Sequence, residues 1–146
     1  MLVGEIVKDK GAGVIAVAPD QAMVEILRLF RDNNIGFVVV SHAPGRYMGT
    51  VSERDCCNAL AEYGPEAALM PVAEIMNRNV AICSAVDGLP LVMSIMTQRR
   101  TRHVLVIEEE AIVGVVSIGD VVKHRLDEAQ RTERHLHEYI AGAGYH

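Results

Sequence analysis

The sequence predicts an α+β fold in which one β-α-β-β-α unit is used twice, followed by a C-terminal helix. Three observations carry this expectation. The pattern G-x-V-S-x-x-D occurs at Gly49-Thr50-Val51-Ser52-Glu53-Arg54-Asp55 and again at Gly114-Val115-Val116-Ser117-Ile118-Gly119-Asp120. Each copy follows short apolar runs of strand length. Each half opens on a matching lead-in, Val3-Gly4-Glu5-Ile6-Val7 and Val72-Ala73-Glu74-Ile75-Met76. An internal duplication sets the architecture before any single element does. A unit of this size leaves one sheet face open, so the two units are expected to bury those faces against each other as a pseudo-two-fold pair.

Taken in order, residues 3–9 read as a short lead-in turn of helix. A small-residue strand follows at 13–18. Pro19 breaks it, and Asp20 is the expected N-cap of the next helix. Across 21–33 the apolar residues Ala22, Met23, Ile26, Leu27, Leu29 and Phe30 stand at helical spacing. Asn33-Asn34-Ile35-Gly36 closes that helix, because Asn and Gly tolerate left-handed backbone. Residues 37–40 are continuously apolar and fit a buried strand. The Pro44-Gly45 turn leads to a partner strand at 47–51, which makes a hairpin. A helix over 53–62 then ends at Tyr63-Gly64-Pro65.

The programme restarts with the lead-in at 72–76 and a strand at 80–83. A helix follows over 87–98, with Asp87 as N-cap and Pro90 in its first turn. Arg99-Arg100-Thr101-Arg102-His103 connects it to a second hairpin, strands 104–107 and 112–116 joined through Glu108-Glu109-Glu110. Asp120 opens the second closing helix. The repeats span 3–65 and 72–126. Residues 127–141 are expected to form a helical extension, in which Leu126, Ala129, Leu136, Tyr139 and Ile140 approximate one narrow apolar stripe. A helix of that kind packs on a partner or on its own domain. Gly142-Ala143-Gly144 reads as a fraying end.

Composition narrows the function. The chain of 146 residues is 50% hydrophobic, enough for a packed core. No apolar run reaches the roughly 18–20 residues of a membrane span, and no hydrophobic signal core is present, so a cytoplasmic location is expected. A net charge of −5 without a basic cluster long enough for that role argues against nucleic acid, and 4% aromatic content leaves no base-stacking platform. Cys56, Cys57 and Cys83 form neither a disulfide framework nor a C-x-x-C site and read as small hydrophobes in a reducing compartment. His135 and His137 fall on different helix faces and His124 is far from both, so no metal site is expected. There is no nucleophile–base pair and no Walker-type phosphate loop, so no enzyme is expected either.

Ser and Asp three residues apart, where a strand meets a helix, have two uses. They cap the helix, or they meet a ligand at the free backbone N–H groups and positive dipole end of the helix N-terminus. The duplicated motif in its hairpin context, with Met76-Asn77-Arg78-Asn79-Val80 at the second entry and Arg102-His103-Val104-Leu105-Val106-Ile107 as the second strand, resembles cystathionine β-synthase (CBS) domains in tandem. The resemblance covers about residues 3–126, without another attached domain, as in stand-alone bacterial CBS-pair proteins.

That resemblance implies clefts between the repeats for AMP, ADP, ATP or a related adenosyl compound such as S-adenosylmethionine. The motif Asp would accept the ribose hydroxyls, and the motif Ser would lie near phosphate. One site would join Ser52, Arg54 and Asp55 to Val80, Ala81, Arg99, Arg100, Arg102 and His103. The other would join Ser117 and Asp120 to Val14, Ala16, Ile35, Gly36 and Phe37. The chemistry is apt, since an ionised carboxylate only accepts hydrogen bonds and Arg contacts phosphate in bidentate fashion. The Asp55 site is the richer in positive charge and is expected to prefer a phosphate tail. The Asp120 site, with Phe37 at the place matching His103, is expected to be weaker, empty or suited to a less charged ligand. The expected function is a ligand-sensing regulatory module without a further cofactor, a homodimer that signals to a protein partner. The alternative is a dimerisation module that needs no ligand.

Overall fold

The computed structural model describes residues 1–11 and 13–143; Gly144, part of the expected fraying end, lies outside the described residues. The elements are α1 (Val3–Lys10), β1 (Ala16–Val17), α2 (Met23–Asn33), β2 (Phe37–Val40), β3 (Gly49–Ser52), α3 (Glu53–Tyr63), α4 (Val72–Ile75), β4 (Ile82–Cys83), α5 (Leu89–Arg99), β5 (His103–Glu108), β6 (Ala111–Ser117) and α6 (Ile118–Ala143). They make two three-stranded sheets, ordered β1-β2-β3 and β4-β5-β6. In each sheet the first pair is parallel and the second antiparallel. The α+β fold with a C-terminal helix is therefore as the sequence predicts.

Several local expectations are corrected. The strands expected at 13–18 and 80–83 each shrink to two residues, and the partner strand expected at 47–51 starts only at Gly49. Asp20 and Asp87 do not cap. The N-caps are Ala22 and Gly88, neither with a side-chain bond. The leading N–H groups of these helices find tertiary partners instead. Met23 donates to the Met70 carbonyl at 2.9 Å, and Leu89 to the Met1 carbonyl at 3.4 Å. Asp87 turns its carboxylate back to the Ser84 N–H at 2.7 Å. One helix end follows the expected route, with Asn34 in left-handed backbone after α2, and Arg100 adopts the same conformation after α5 without having been expected to. A 3-10 segment, Gly64–Leu69, follows α3 without having been expected.

Each lead-in helix packs on the opposite repeat. Val3 and Ile6 of α1 belong to one apolar cluster with Cys83, Leu89, Val92, Val104 and Val116. Val72 of α4 and the adjoining Met76 belong to the other, with Val17, Met23, Ile26, Val38 and Val51. The backbone bonds are reciprocal. Val3 and Gly4 donate to the carbonyls of Asp87 and Ala85, and Val72 and Ala73 donate to those of Gln21 and Pro19. Val39 and Leu105 are fully buried yet belong to neither cluster. Strand alternation turns them to the other sheet face, which the partner repeat covers. Burial on both faces is why residues 37–40 and 104–107 read as continuous apolar runs.

The swap also explains the motif glycines. A Cβ on Gly49 would lie 2.7 Å from the Asn77 carbonyl oxygen and 2.8 Å from Met76 Sδ; one on Gly114 would lie 2.8 Å from Val7. Glycine is needed here for close approach of the lead-in segment. Gly49→Ala is expected to cost about 1–3 kcal/mol through overpacking against backbone, read as a lower urea midpoint at unchanged slope. An unchanged midpoint would remove this explanation of the glycine.

The closing helix and its extension are one helix, α6, of 26 residues, about 39 Å long. Val121 anchors its first turn in the core. Residues 129–142 are exposed throughout, so the expected stripe does not pack on its own domain. No helix among the described residues is long and apolar enough to cross a membrane.

Candidate functional site

Both copies of the motif form the same reciprocal cap. The Ser52 N–H donates to Asp55 Oδ2 at 2.8 Å, the Asp55 N–H donates to Ser52 Oγ at 3.3 Å, and the Ser52 hydroxyl donates to Oδ2 at 3.0 Å. In the second copy the Ser117 N–H donates to Asp120 Oδ2 at 2.9 Å, and the Asp120 N–H donates to Ser117 Oγ at 3.1 Å. Two donors that a helix start leaves unpaired are satisfied in each case. The cap engages one carboxylate oxygen. Asp55 Oδ1 takes no hydrogen bond among the described residues, so capping leaves it able to accept from a ligand.

The hairpin register brings the two halves together at their axis. Phe37 pairs with Ser52 and His103 with Ser117. These matching residues, Phe37 and His103, stack on each other with ring centroids 4.3 Å apart and planes 12° from parallel. Burial pushes the His103 imidazole down from 6.5 to about 4, reinforced by the Lys10 and Arg102 cations and opposed by the Asp120 carboxylate. His103 is thus a neutral ring at pH 7 and adds no positive charge for a phosphate.

Beside this stack, a cleft of about 400 Å³ opens between the repeats. Phe37 and Thr50 form one wall, and Val80, Ala81, Arg99 and His103 are prominent in the other. The Arg99 guanidinium crosses the wall to donate to the carbonyls of Asn79 at 2.7 Å and Val80 at 3.3 Å. Of the residues expected around Asp55, the structure brings Val80, Ala81, Arg99 and His103 into this cleft. Ser52 and Asp55 stand next to it through the Phe37–Ser52 pairing but do not line it. Arg54, Arg100 and Arg102 are exposed and also outside the lining.

Of the residues expected around Asp120, Phe37 stacks on His103, the strand partner of Ser117, but it does not share one cavity with Val14 and Ala16. Val14 and Ala16 line a larger cavity of about 720 Å³ with Pro19, the 41–46 turn and Ile112, which none of Ile35, Gly36, Phe37, Ser117 or Asp120 joins. This cavity exceeds the first in volume, but no residue of either cap lines it. Gly36 lies against Glu53, whose Oε1 would be 2.6 Å from a Cβ there. At Asp120 itself the Lys10 ammonium reaches in, 2.7 Å from Oδ2, and also donates to the Val115 carbonyl at 3.1 Å. Desolvation pushes the Asp120 carboxyl upward, but Lys10 and the Ser117 bonds together outweigh it and hold the group below the usual carboxylate range.

Sequence reasoning missed Lys10, Thr50, Asn77, Asn79, Gln98 and Thr101 as site residues. Thr50 carried a signal, being the one polar residue inside the strand before Ser52. Asn77 and Asn79 lay in the quoted segment after Met76. Lys10 carried none, because its partner lies 110 residues away in the chain.

The family model described as CBS domain matches twice, at residues 3–62 and 72–127. A mitochondrial CBS domain-containing protein of Arabidopsis thaliana, CBSX3, is 27% identical across 98% of this chain and 73% of its own. A crystal structure of a CBS-domain containing protein from Agrobacterium tumefaciens superposes with a TM-score of 0.82 at 37% identity, covering 86% of this chain and 99% of that one. The CBS domain pair of protein MJ0100, solved with 5′-methylthioadenosine and S-adenosyl-L-methionine, superposes with a TM-score of 0.76 at 21% identity, over 88% and 98% of the two chains.

Proposed function

This chain belongs to the CBS-domain family as a tandem pair, and on that premise we propose that it is a regulatory module sensing an adenosine nucleotide, AMP, ADP or ATP, in the cleft beside Asp55. The observation that carries this reading is the open space of about 400 Å³ between the repeats, flanked by a cap whose carboxylate keeps one oxygen unused. The Phe37–His103 stack supplies an apolar wall for a base. Asp55 accepts the ribose hydroxyls, and Arg99, with Arg54, Arg100 and Arg102 at the rim, meets the phosphates. Because His103 is neutral, the phosphate preference rests on arginine alone. The related pair that holds 5′-methylthioadenosine and S-adenosyl-L-methionine supports an adenosyl ligand and makes S-adenosylmethionine the second candidate.

For sensing to become regulation, the ligand must favour one arrangement of the molecule over another. A homodimer supplies such arrangements. Leu60 and Tyr63 on α3, Leu91 and Met93 on α5, and Ile118, Val122 and Leu126 on α6 are exposed apolar residues that an identical chain can cover.

Calorimetry and thermal shift with AMP, ADP, ATP and S-adenosylmethionine test the reading. Binding should raise the melting temperature by mass action. Asp55→Asn keeps the cap and should weaken binding about 10–100-fold, the scale of hydrogen bonds to a charged group. Sedimentation of the same sample should give two chain masses of 15.9 kDa. Dimerisation without any ligand response at millimolar concentration would leave the assembly module as the function.

A further inference from the structure

The pseudo-symmetry of the two halves breaks just beyond their lead-in helices. After α4 the chain leaves the helix at Met76. Asn77 then bridges Thr50 through both backbone bonds, donating at 2.8 Å and accepting at 2.9 Å. That bridge holds the segment flat and leaves the cleft open, with Asn79 on its wall. After Val7, the residue matching Met76, the chain stays helical instead. α1 runs eight residues where α4 runs four. The residue types account for this. Asn competes for its own backbone and favours turns, whereas Lys is a good helix former. Gly11, at φ 85°, ends α1 only after the extra turn.

That extra turn carries Lys10, which matches Asn79 in the repeat, across to the other half. Its ammonium lies 2.7 Å from Asp120 Oδ2 and 3.1 Å from the Val115 carbonyl oxygen. Asp120 matches Asp55 and Val115 matches Thr50, so Lys10 stands where the first half has its cleft. The pair is partly sheltered, with the Lys10 and Asp120 side chains 41% and 19% exposed. The ammonium and the cap share Oδ2, so a ribose approaching the other oxygen meets a cation already seated beside it.

We propose that Lys10 is a built-in occupant of the second cleft, so that the protein has one site open to a nucleotide and one filled by its own α1. The consequence for ligand number rests on the nucleotide reading above; the occupancy by Lys10 does not. Titration calorimetry with AMP should give one equivalent for the unaltered protein, weakened about 10–100-fold in Asp55→Asn. Lys10→Ala should give two, and the second should weaken likewise in Lys10→Ala combined with Asp120→Asn. Two equivalents in the unaltered protein, or one in Lys10→Ala, would overturn the proposal. A ligand-free measurement separates it from the nucleotide reading. Acylation by a water-soluble amine reagent, followed by mass spectrometry, should modify Lys10 about fivefold more slowly than Lys8, the scale of a half-exposed ion pair. Asp120→Asn should abolish the difference. Equal rates in the unaltered protein sink the proposal even if AMP binds. If no adenosine compound binds, the nucleotide reading fails and the acylation rates still decide whether Lys10 fills the cleft.

Discussion

Ile6→Ala lowers the unfolding free energy by about 2–5 kcal/mol, the range for deleting a buried branched side chain and leaving a cavity. Ile6 is 1% exposed, and its cluster mates outside α1 come from the second repeat, Cys83, Leu89, Val92 and Val104 among them. The substitution is in the first repeat, yet the damage belongs to the second. Amide hydrogen exchange should therefore lose protection at Val104, Val106 and Val116 more than at Val38, Val40 and Val51. Denaturant unfolding gives the size of the effect, and exchange gives its place. Loss of protection confined to β2 and β3 would contradict the crossed packing of α1.

Acidification from pH 6.5 to 4 costs about 3 kcal/mol of stability through His103. The folded protein holds this imidazole neutral, with its pKa lowered from 6.5 to about 4. Below pH 6.5 the unfolded chain takes up a proton that the folded chain refuses. Stability is fully present above 6.5 and drains as pH falls through the folded value. Burial against Phe37 is the main cause. Lys10 and Arg102 add to it, and Asp120 opposes it. His103→Phe keeps an aromatic ring on Phe37 and has nothing to protonate, so its stability should vary less across this range by about the same 3 kcal/mol. Parallel pH profiles for the two proteins, measured by urea unfolding, would show that His103 is not the acid-sensitive group.

Much of this molecule is written in local pattern. The α2 helix follows from its apolar spacing, and Asn34 closes it in left-handed backbone as its residue type allows. The hairpins follow from paired apolar runs. The Ser and Asp of each motif cap a helix, as their three-residue spacing permits. The failures share one cause. Asp20 and Asp87 are good caps by residue type, but the helices they precede draw on the carbonyls of Met70 and Met1, partners that no local window contains. His103 reads as a cation near phosphate; stacked on Phe37, it is an uncharged wall. Val14 matches Val80 in the repeat but lines a different cavity, because equal sequence position does not guarantee equal surroundings.

The sequence by itself determined that the chain is two copies of one α+β unit with a helix at the end, because duplication, periodicity and capping residues are all local. Only the tertiary structure decided that each lead-in helix serves the other copy, and that one cap stands beside an open cleft while its twin holds Lys10. The physical reason is distance along the chain. Gly114 is glycine because Val7 lies on it, and Asp120 is ion-paired because α1 runs on to Lys10. Contacts of that reach exist only once the two sheets have closed on each other.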